Sequence, residues 1–390
     1  MGVAWGLPDV RFYLDMAQGH AALVPQPFTS RPLAPLLVRV CAFLLHLRSE
    51  TCFAVLAILS ICITVLVVLW LLLRSGSVVW FIPALVVLPF WPQMLGNAGL
   101  PDPLYTALLA MLLLALGYRR LWVAALLIFP LMLTRESTWL TLACLLFAGR
   151  KRWRGGELAL AVGSAALGAW AVHRWSASGL PNPEHLSGSV YMLGKLVSNS
   201  VRSAGIVPWS NVYPSLCKAP VWQMPFHLGG VRSVGVCFWD PIVPLQAGWA
   251  ILTLFGVLPL LYVAVLPGAL KQHVGGNDVL MRFCLAYGTI SLLVAPMLGT
   301  WYTRLVGYAW PLMLVALPRA LARPNTPSGT QKGARTELQR WAALLLVHLL
   351  LCVIGTWVAS PAAFVLVVLL YALALALILR RSGLFRAALT

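Results

Sequence analysis

Apolar residues run along this chain in long unbroken stretches, separated by short polar punctuation. Stretches 52–73, 242–266, 341–359 and 362–379 each approach or exceed the roughly 20 residues a helix needs to cross about 30 Å of hydrocarbon. In lipid every backbone polar group must be bonded within its own segment, so stretches of this length are expected to be helices. They do not alternate apolar with polar residues, as the strands of a transmembrane barrel do. The punctuation predicts eleven spans: 51–73, 78–96, 104–118, 121–134, 137–149, 157–177, 242–267, 279–299, 302–320, 341–359 and 362–380. The fold class expected is all-α, a polytopic transmembrane helical bundle. Spans 104–118, 121–134 and 137–149 are short, which fits tilted, re-entrant or internally packed helices. The apolar segment 35–46, interrupted by Arg39, reads as a helix lying in the outer interface.

The stretches between spans divide the chain. Residues 1–50 form a first loop with its interfacial helix, and 51–177 a first set of transmembrane helices. Residues 178–241 are too long for a turn and rich in Pro, Gly and Trp; a segment this long reads as a folded cap. Residues 242–321 return to the membrane, 322–340 form a basic linker rich in Pro, Gly, Ser and Thr, and 341–390 hold a last pair of spans and a basic tail.

Composition sharpens this picture. The chain is 61% hydrophobic and 10% charged over 390 residues. Soluble domains carry about 25% charged residues, so a soluble fold this apolar could not cover itself with polar surface. The net charge of +18 would point to nucleic acid in a soluble protein, but here the cations sit in short clusters between apolar stretches, so no nucleic-acid partner is expected.

With residues 1–50 outside and the spans alternating, Arg74, Arg119–Arg120, 150–154, Lys271, 319–340 and Arg380–Arg381 all fall inside, as the positive-inside rule requires. The same orientation gathers seven of the ten acidic residues outside, leaving Glu157, Asp278 and Glu337. Polar chemistry is therefore sought on the outer face. An N-terminus outside with nothing to carry it there favours a further helix before Met1. Of eight cysteines, Cys217 and Cys237 share the cap, where an oxidising compartment permits a disulfide. The other six lie in or beside apolar stretches, and no CxxC or Cys/His metal spacing occurs.

The first loop carries the most chemistry. Asp9 is followed by Tyr13, Ala17 and Gly19, then Pro27–Phe28, Arg31–Pro32–Leu33 and Pro35. This pattern, D-x-x-x-Y-x-x-x-A-x-G followed by PF-x-x-R-P-L-x-P, resembles the first outer loop of bacterial GT-C-type glycosyltransferases, which take sugars from a polyprenyl-phosphate carrier. Asp102 in PDPLYTALL, Arg135–Glu136 in LTRESTW and Arg304 in GTWYTRLVGYAW resemble further outer positions of such enzymes. The resemblance covers roughly 9–150 and 296–320. It implies Asp9 as catalytic base with Asp15 as second choice. It also implies Asp102 and Glu136 shaping the site, and Arg31, Arg135 and Arg304 holding phosphate. The implied partners are membrane lipid, a polyprenyl-phosphate-linked sugar donor and a glycan, lipid or protein acceptor. The implied place is the bacterial inner membrane, with an extracytoplasmic active face. No DxD pair is present, so a divalent metal has no support and no cofactor is identified.

Each residue type suits that chemistry. A carboxylate can take the acceptor's hydroxyl proton, and guanidinium groups meet a phosphate leaving group through paired hydrogen bonds. Plainer roles compete. Asp9, Asp15 and Asp102 can cap helices, Arg135–Glu136 can be a solvated hairpin tip, and Arg304 can snorkel to headgroups. Two other function classes stand beside the transferase. A transporter or flippase would need ionisable groups at mid-membrane on broken helices, and only Arg282 lies well inside a predicted span. A non-catalytic relative would keep the fold and lose turnover.

Overall fold

Proline, glycine and left-handed residues set where the helices of this chain start and stop. The structure, a computed structural model, describes residues 8–75, 94–96, 98–181, 188–210, 222–228, 231–255, 258–273, 278–298 and 306–321, with isolated positions at 350, 366, 369, 370 and 373. Helix α1 (Pro8–Ala17) opens on a proline, whose missing N–H costs nothing in a first turn. Helix α2 (Leu33–Leu45) follows Pro32 and ends at His46, which takes the left-handed conformation (φ 53°). Helix α3 (Ser49–Arg74) has no internal glycine or proline and is the longest described, at 26 residues.

Helix α4 (Asp102–Gly117) carries prolines at its N-terminal end. Helix α5 (Leu121–Thr134) stops where Arg135 becomes extended, and α6 (Thr138–Gly149) follows. Helix α7 (Gly155–Ser176) begins with the Glu157 carboxylate accepting the Arg154 N–H at 3.2 Å.

In the cap, α8 (Gly188–Ser203) precedes a three-stranded antiparallel sheet of β1 (Ile206–Ser210), β2 (Trp222–Leu228) and β3 (Val231–Trp239), in the order β1-β3-β2. Pro208 lies on edge strand β1, where its missing donor is tolerated, and the register shifts between Val207 and Pro208. Helices α9 (Ile242–Phe255), α10 (Leu258–His273), α11 (Val279–Leu298) and α12 (Trp310–Leu321) complete the described chain.

The chain is mostly helical, as the apolar stretches predicted. Helix α4 is its centre. It is apolar nearly all round and buried nearly all round, the signature of an internal helix. It packs on α3, α5 and α11, while α11 also packs on α6 and α12. Because these helices run alternately up and down, their ends segregate. One end of the bundle holds Asp102, Arg135, Glu136 and Tyr308, which open or close α4, α5, α6 and α12. The other end holds Arg74, Arg119, Arg120, Arg152, Arg154, Asp278 and Arg319. The 16 residues of α4 separate the two ends by about 24 Å, at roughly 1.5 Å per residue.

Among the described residues two helices are long and apolar enough to cross a membrane, α3 and α7. Both turn apolar side chains outward. Ile58, Leu59, Leu66 and Trp70 on α3, and Val162, Leu167 and Trp170 on α7, are each at least half exposed.

Two expectations change. The single span 242–267 is described as two helices, α9 ending at Phe255 and α10 beginning at Leu258, with Pro259 in the first turn of α10, where a proline is tolerated. The span 302–320 is described from Val306, which is helical, through a turn at 307–309 into α12. The cap, read from sequence without strands, contains the sheet. Segment 35–46 is helical as expected. Apart from the isolated positions named above, the spans at 341–359 and 362–380 lie outside the described residues, as do most of 78–96 and the linker 322–340.

The first loop is pinned to the end of α7. Leu180 N–H donates to the Val24 carbonyl at 3.0 Å, and Gln26 N–H donates to the Leu180 carbonyl at 3.0 Å. Gly179 makes this approach possible. A Cβ there would stand 2.5 Å from the Thr29 methyl and 2.8 Å from the Val24 carbonyl oxygen.

Candidate functional site

Five sequence-distant segments meet at the end of the bundle where α4 begins. Extended Arg135 sits between α5 and α6, so Arg135 and Glu136, though consecutive, send their side chains to different partners. Arg135 turns into the bundle, where its Nη1 donates to the Asp102 carboxylate and to the Tyr308 hydroxyl. Tyr308 in turn donates to the same Asp102 oxygen. Asp102 is 1% exposed and Arg135 7%, so the pair is dry.

Asp102 is the first residue of α4, where the helix dipole favours a negative charge. Its Oδ1 serves Arg135 and Tyr308, and no side-chain capping bond forms at that terminus. The Arg135 guanidinium also lies over the Tyr308 ring, 5.2 Å from its centroid. Burial opposes the charge on Arg135, but Tyr308 and Asp102 more than offset it and raise its pKa above the ordinary arginine value.

Glu136 faces the first loop. It accepts from Arg31 Nε at 3.0 and 3.1 Å and from the Ser30 hydroxyl. Arg31 Nη1 donates to the Tyr13 hydroxyl at 3.0 Å, which ties in α1. Burial would raise Glu136, but Arg31, then Arg135 and the Ser30 bond, hold its carboxyl below the usual value. Burial would likewise lower Arg31, but Glu136 and Tyr13 leave it well above its ordinary value. The buried Tyr13 phenol is pushed up.

A second polar ladder continues inward. The Tyr105 hydroxyl meets Thr141 Oγ1 at 2.9 Å and the Tyr287 hydroxyl at 3.0 Å. The Tyr105 ring packs edge-on against Tyr308, with centroids 4.8 Å apart.

Of the residues singled out from sequence, Arg31, Asp102, Arg135 and Glu136 come together here. Asp9 is half-buried on α1, four residues before Tyr13 and therefore on the same helix face. Among the described residues no hydrogen bond or ion pair engages its carboxylate. Asp15 lies two residues beyond Tyr13, on roughly the opposite face of α1, and is half-buried. Arg304 lies outside the described residues. The plain hairpin-tip reading of Arg135–Glu136 does not describe what these side chains do, because both are paired and Arg135 is buried.

Sequence reasoning missed Ser30, Tyr308, Tyr105, Tyr287 and Thr141 as members, and noted Tyr13 only as part of a pattern. The available signal was the i, i+4 spacing of Asp9 and Tyr13.

The arrangement can hold an anion. Arg31 spends Nε and Nη1 on Glu136 and Tyr13, and its remaining N–H groups extend the five-donor guanidinium fork. Asp9, whose carboxylate is unengaged among the described residues, lies one helical turn from Tyr13 on α1. Among the described residues no group of three or more His, Cys, Asp or Glu gathers as a metal site. No family model, curated protein or solved structure matches this chain.

Proposed function

We propose that this chain is a polytopic membrane glycosyltransferase of about eleven spans, moving a sugar from a polyprenyl-phosphate donor to an envelope glycan, lipid or protein acceptor outside the cytoplasm. The observation that carries the reading is the meeting of Arg31, Asp102, Arg135 and Glu136 at one end of the bundle, with Asp9 one helical turn from Tyr13 on α1. Isolated surface charges have no reason to converge, and charges at the mouth of a membrane bundle are costly unless used.

The membrane placement draws support from the outward apolar faces of α3 and α7, since soluble proteins rarely expose contiguous apolar surface on this scale. The outer placement of the cap draws support from Cys237 on β3. It is disulfide-bonded to a partner outside the described residues, and such bonds persist in oxidising compartments.

In this reading Asp9 takes the proton of the acceptor hydroxyl. The freed oxygen attacks the anomeric carbon from the face opposite the phosphate, with inversion. The bond between that carbon and the phosphate oxygen breaks, and polyprenyl phosphate leaves with its charge met by Arg31. Arg135 and Asp102, already bonded to each other, fix the hairpin that presents Glu136, and Glu136 orients Arg31. Asp15, facing away from Arg31, takes no part, and Arg304 remains a candidate second phosphate ligand.

The test is transfer of radiolabelled sugar from a polyprenyl-phosphate donor by the purified protein. Asp9→Asn is expected to lower turnover by about 10²–10⁴-fold, the usual contribution of a positioned base, while carrier binding persists. Full turnover by the variant would remove Asp9 from the mechanism.

A second reading has its own observation. Both ion pairs close on side chains of the chain itself, as in a structural clasp of a non-catalytic relative. In that case the wild-type chain binds carrier and turns over no donor.

A further inference from the structure

At the opposite end of the bundle lies a cavity of about 640 Å³ with a different chemistry. It is walled by the end of α4, the turn into α5, the link before α7 and the meeting ends of α11 and α12. Five arginines line it: Arg119, Arg120, Arg152, Arg154 and Arg319. Two carboxylates line it as well, but both already serve backbone N–H groups. Glu157 accepts from Arg154 N–H at 3.2 Å, and Asp278 accepts from Met281 N–H at 3.1 Å. Among the described residues none of the five guanidinium groups is in a salt bridge. Five guanidinium groups against two carboxylates leave the cavity an excess of three positive charges.

Two further observations mark it as built for a ligand. Arg119 has φ +56°, in the left-handed region where glycine is at ease and an arginine is strained. A turn selected only for its shape would carry glycine there. One turn into α11 from Asp278, Arg282 is 1% exposed with three guanidinium nitrogens unbonded among the described residues. Arg282 is not itself a lining residue; helical side chains lean toward their own N-terminus, so it stands behind the Asp278 end of the cavity wall.

The surroundings indicate what kind of anion fits. Trp122 on the cavity wall is 49% exposed and Tyr118 beside it 43%. The Tyr118 hydroxyl accepts from Trp70 Nε1 at 2.8 Å, and Arg74 lies over the Tyr118 ring at 4.2 Å. Exposed Trp and Tyr next to a basic pocket mark the headgroup level of a membrane. We propose that this cavity seats the phosphate of an anionic phospholipid, gripped by the Arg119–Arg120 and Arg152–Arg154 pairs. The site is separate from sugar transfer, and its test does not depend on that activity.

The experiment is native mass spectrometry of the full chain released from micelles, with phosphatidylglycerol, phosphatidylcholine and inorganic phosphate as probes. The expected result is one phosphatidylglycerol held about tenfold more tightly than phosphatidylcholine, as a single charged hydrogen bond warrants, and not displaced by millimolar phosphate. Arg119→Gly is the decisive variant. Glycine relieves the left-handed backbone, so the melting temperature should hold or rise while lipid affinity falls about tenfold. Arg152→Gln/Arg154→Gln should lose at least as much, and Arg48→Gln, at the far end of α3, should bind as wild type. Should the double variant not fold, Arg119→Gly decides alone. Equal binding of the two lipids, or undiminished phosphatidylglycerol binding by Arg119→Gly, would overturn the proposal. Displacement of the lipid by inorganic phosphate would overturn the lipid assignment and give the cavity to a soluble phosphate compound.

Discussion

Arg135 and Glu136 are neighbours in sequence with opposite environments, and the difference governs what their replacement does. Asp102→Asn leaves the Arg135 guanidinium buried with its countercharge removed, which is expected to cost about 3–5 kcal/mol, read as a drop in melting temperature. Glu136→Gln acts on a pair that is 14% and 31% exposed, so the loss is expected to be smaller, about 1–3 kcal/mol. The pH dependence follows from the lowered Glu136 carboxyl. A depressed acid stabilises the fold fully above its ordinary value of 4.5, and that contribution is lost as pH falls through the lower folded value. Acid melting curves of wild type and Glu136→Gln should therefore converge at low pH and separate above about 4.5. The charged members of this cluster were legible in sequence because charge is rare in so apolar a chain. Tyr308, Tyr105 and Tyr287 were not, because a tyrosine that bonds a buried carboxylate looks in sequence like one that anchors a helix at the interface.

The elements were legible in proportion to their apolar length. Helix α3 and the α4–α7 series fall within a few residues of the predicted spans, because uninterrupted apolar stretches in lipid have one solution. The division into α9 and α10 was hidden because the sequence from 242 to 266 is apolar almost throughout, and hydropathy alone reads across it. The sheet of the cap was hidden for a related reason. Pro208, Pro225 and Gly235 interrupt its strands, so no clean two-residue alternation appears.

Gly205 joins that sheet to α8 with φ +83°, and a Cβ there would come within 2.1 Å of the Asp240 carbonyl oxygen. Gly205→Ala is expected to destabilise this corner by more than about 1 kcal/mol. Amide exchange should accelerate across 206–210 and 234–239 and stay unchanged in α4 to α6. Gly179→Val should detach the first loop from α7 in the same local way, lowering the melting temperature without touching the Asp102–Arg135 pair.

On the scale of the whole molecule, one bundle keeps two chemistries apart. Paired charges and tyrosines gather where α4 begins, and a cluster of arginines gathers where it ends. This segregation was visible in sequence as the clustering of cations in alternate connections, which needs no atomic detail. The pairing of individual groups was not visible, because it depends on how α1, α4, α6 and α12 pack. The account requires that the two ends face opposite sides of a membrane, with the first loop outside. Labelling of intact cells with a membrane-impermeant maleimide measures this, comparing Gln18→Cys in the first loop and Arg152→Cys at the basic end against the parent protein. Added labelling is expected of Gln18→Cys in intact cells and of Arg152→Cys only after permeabilisation. Labelling of Arg152→Cys from outside, or of both positions from one side, would contradict it.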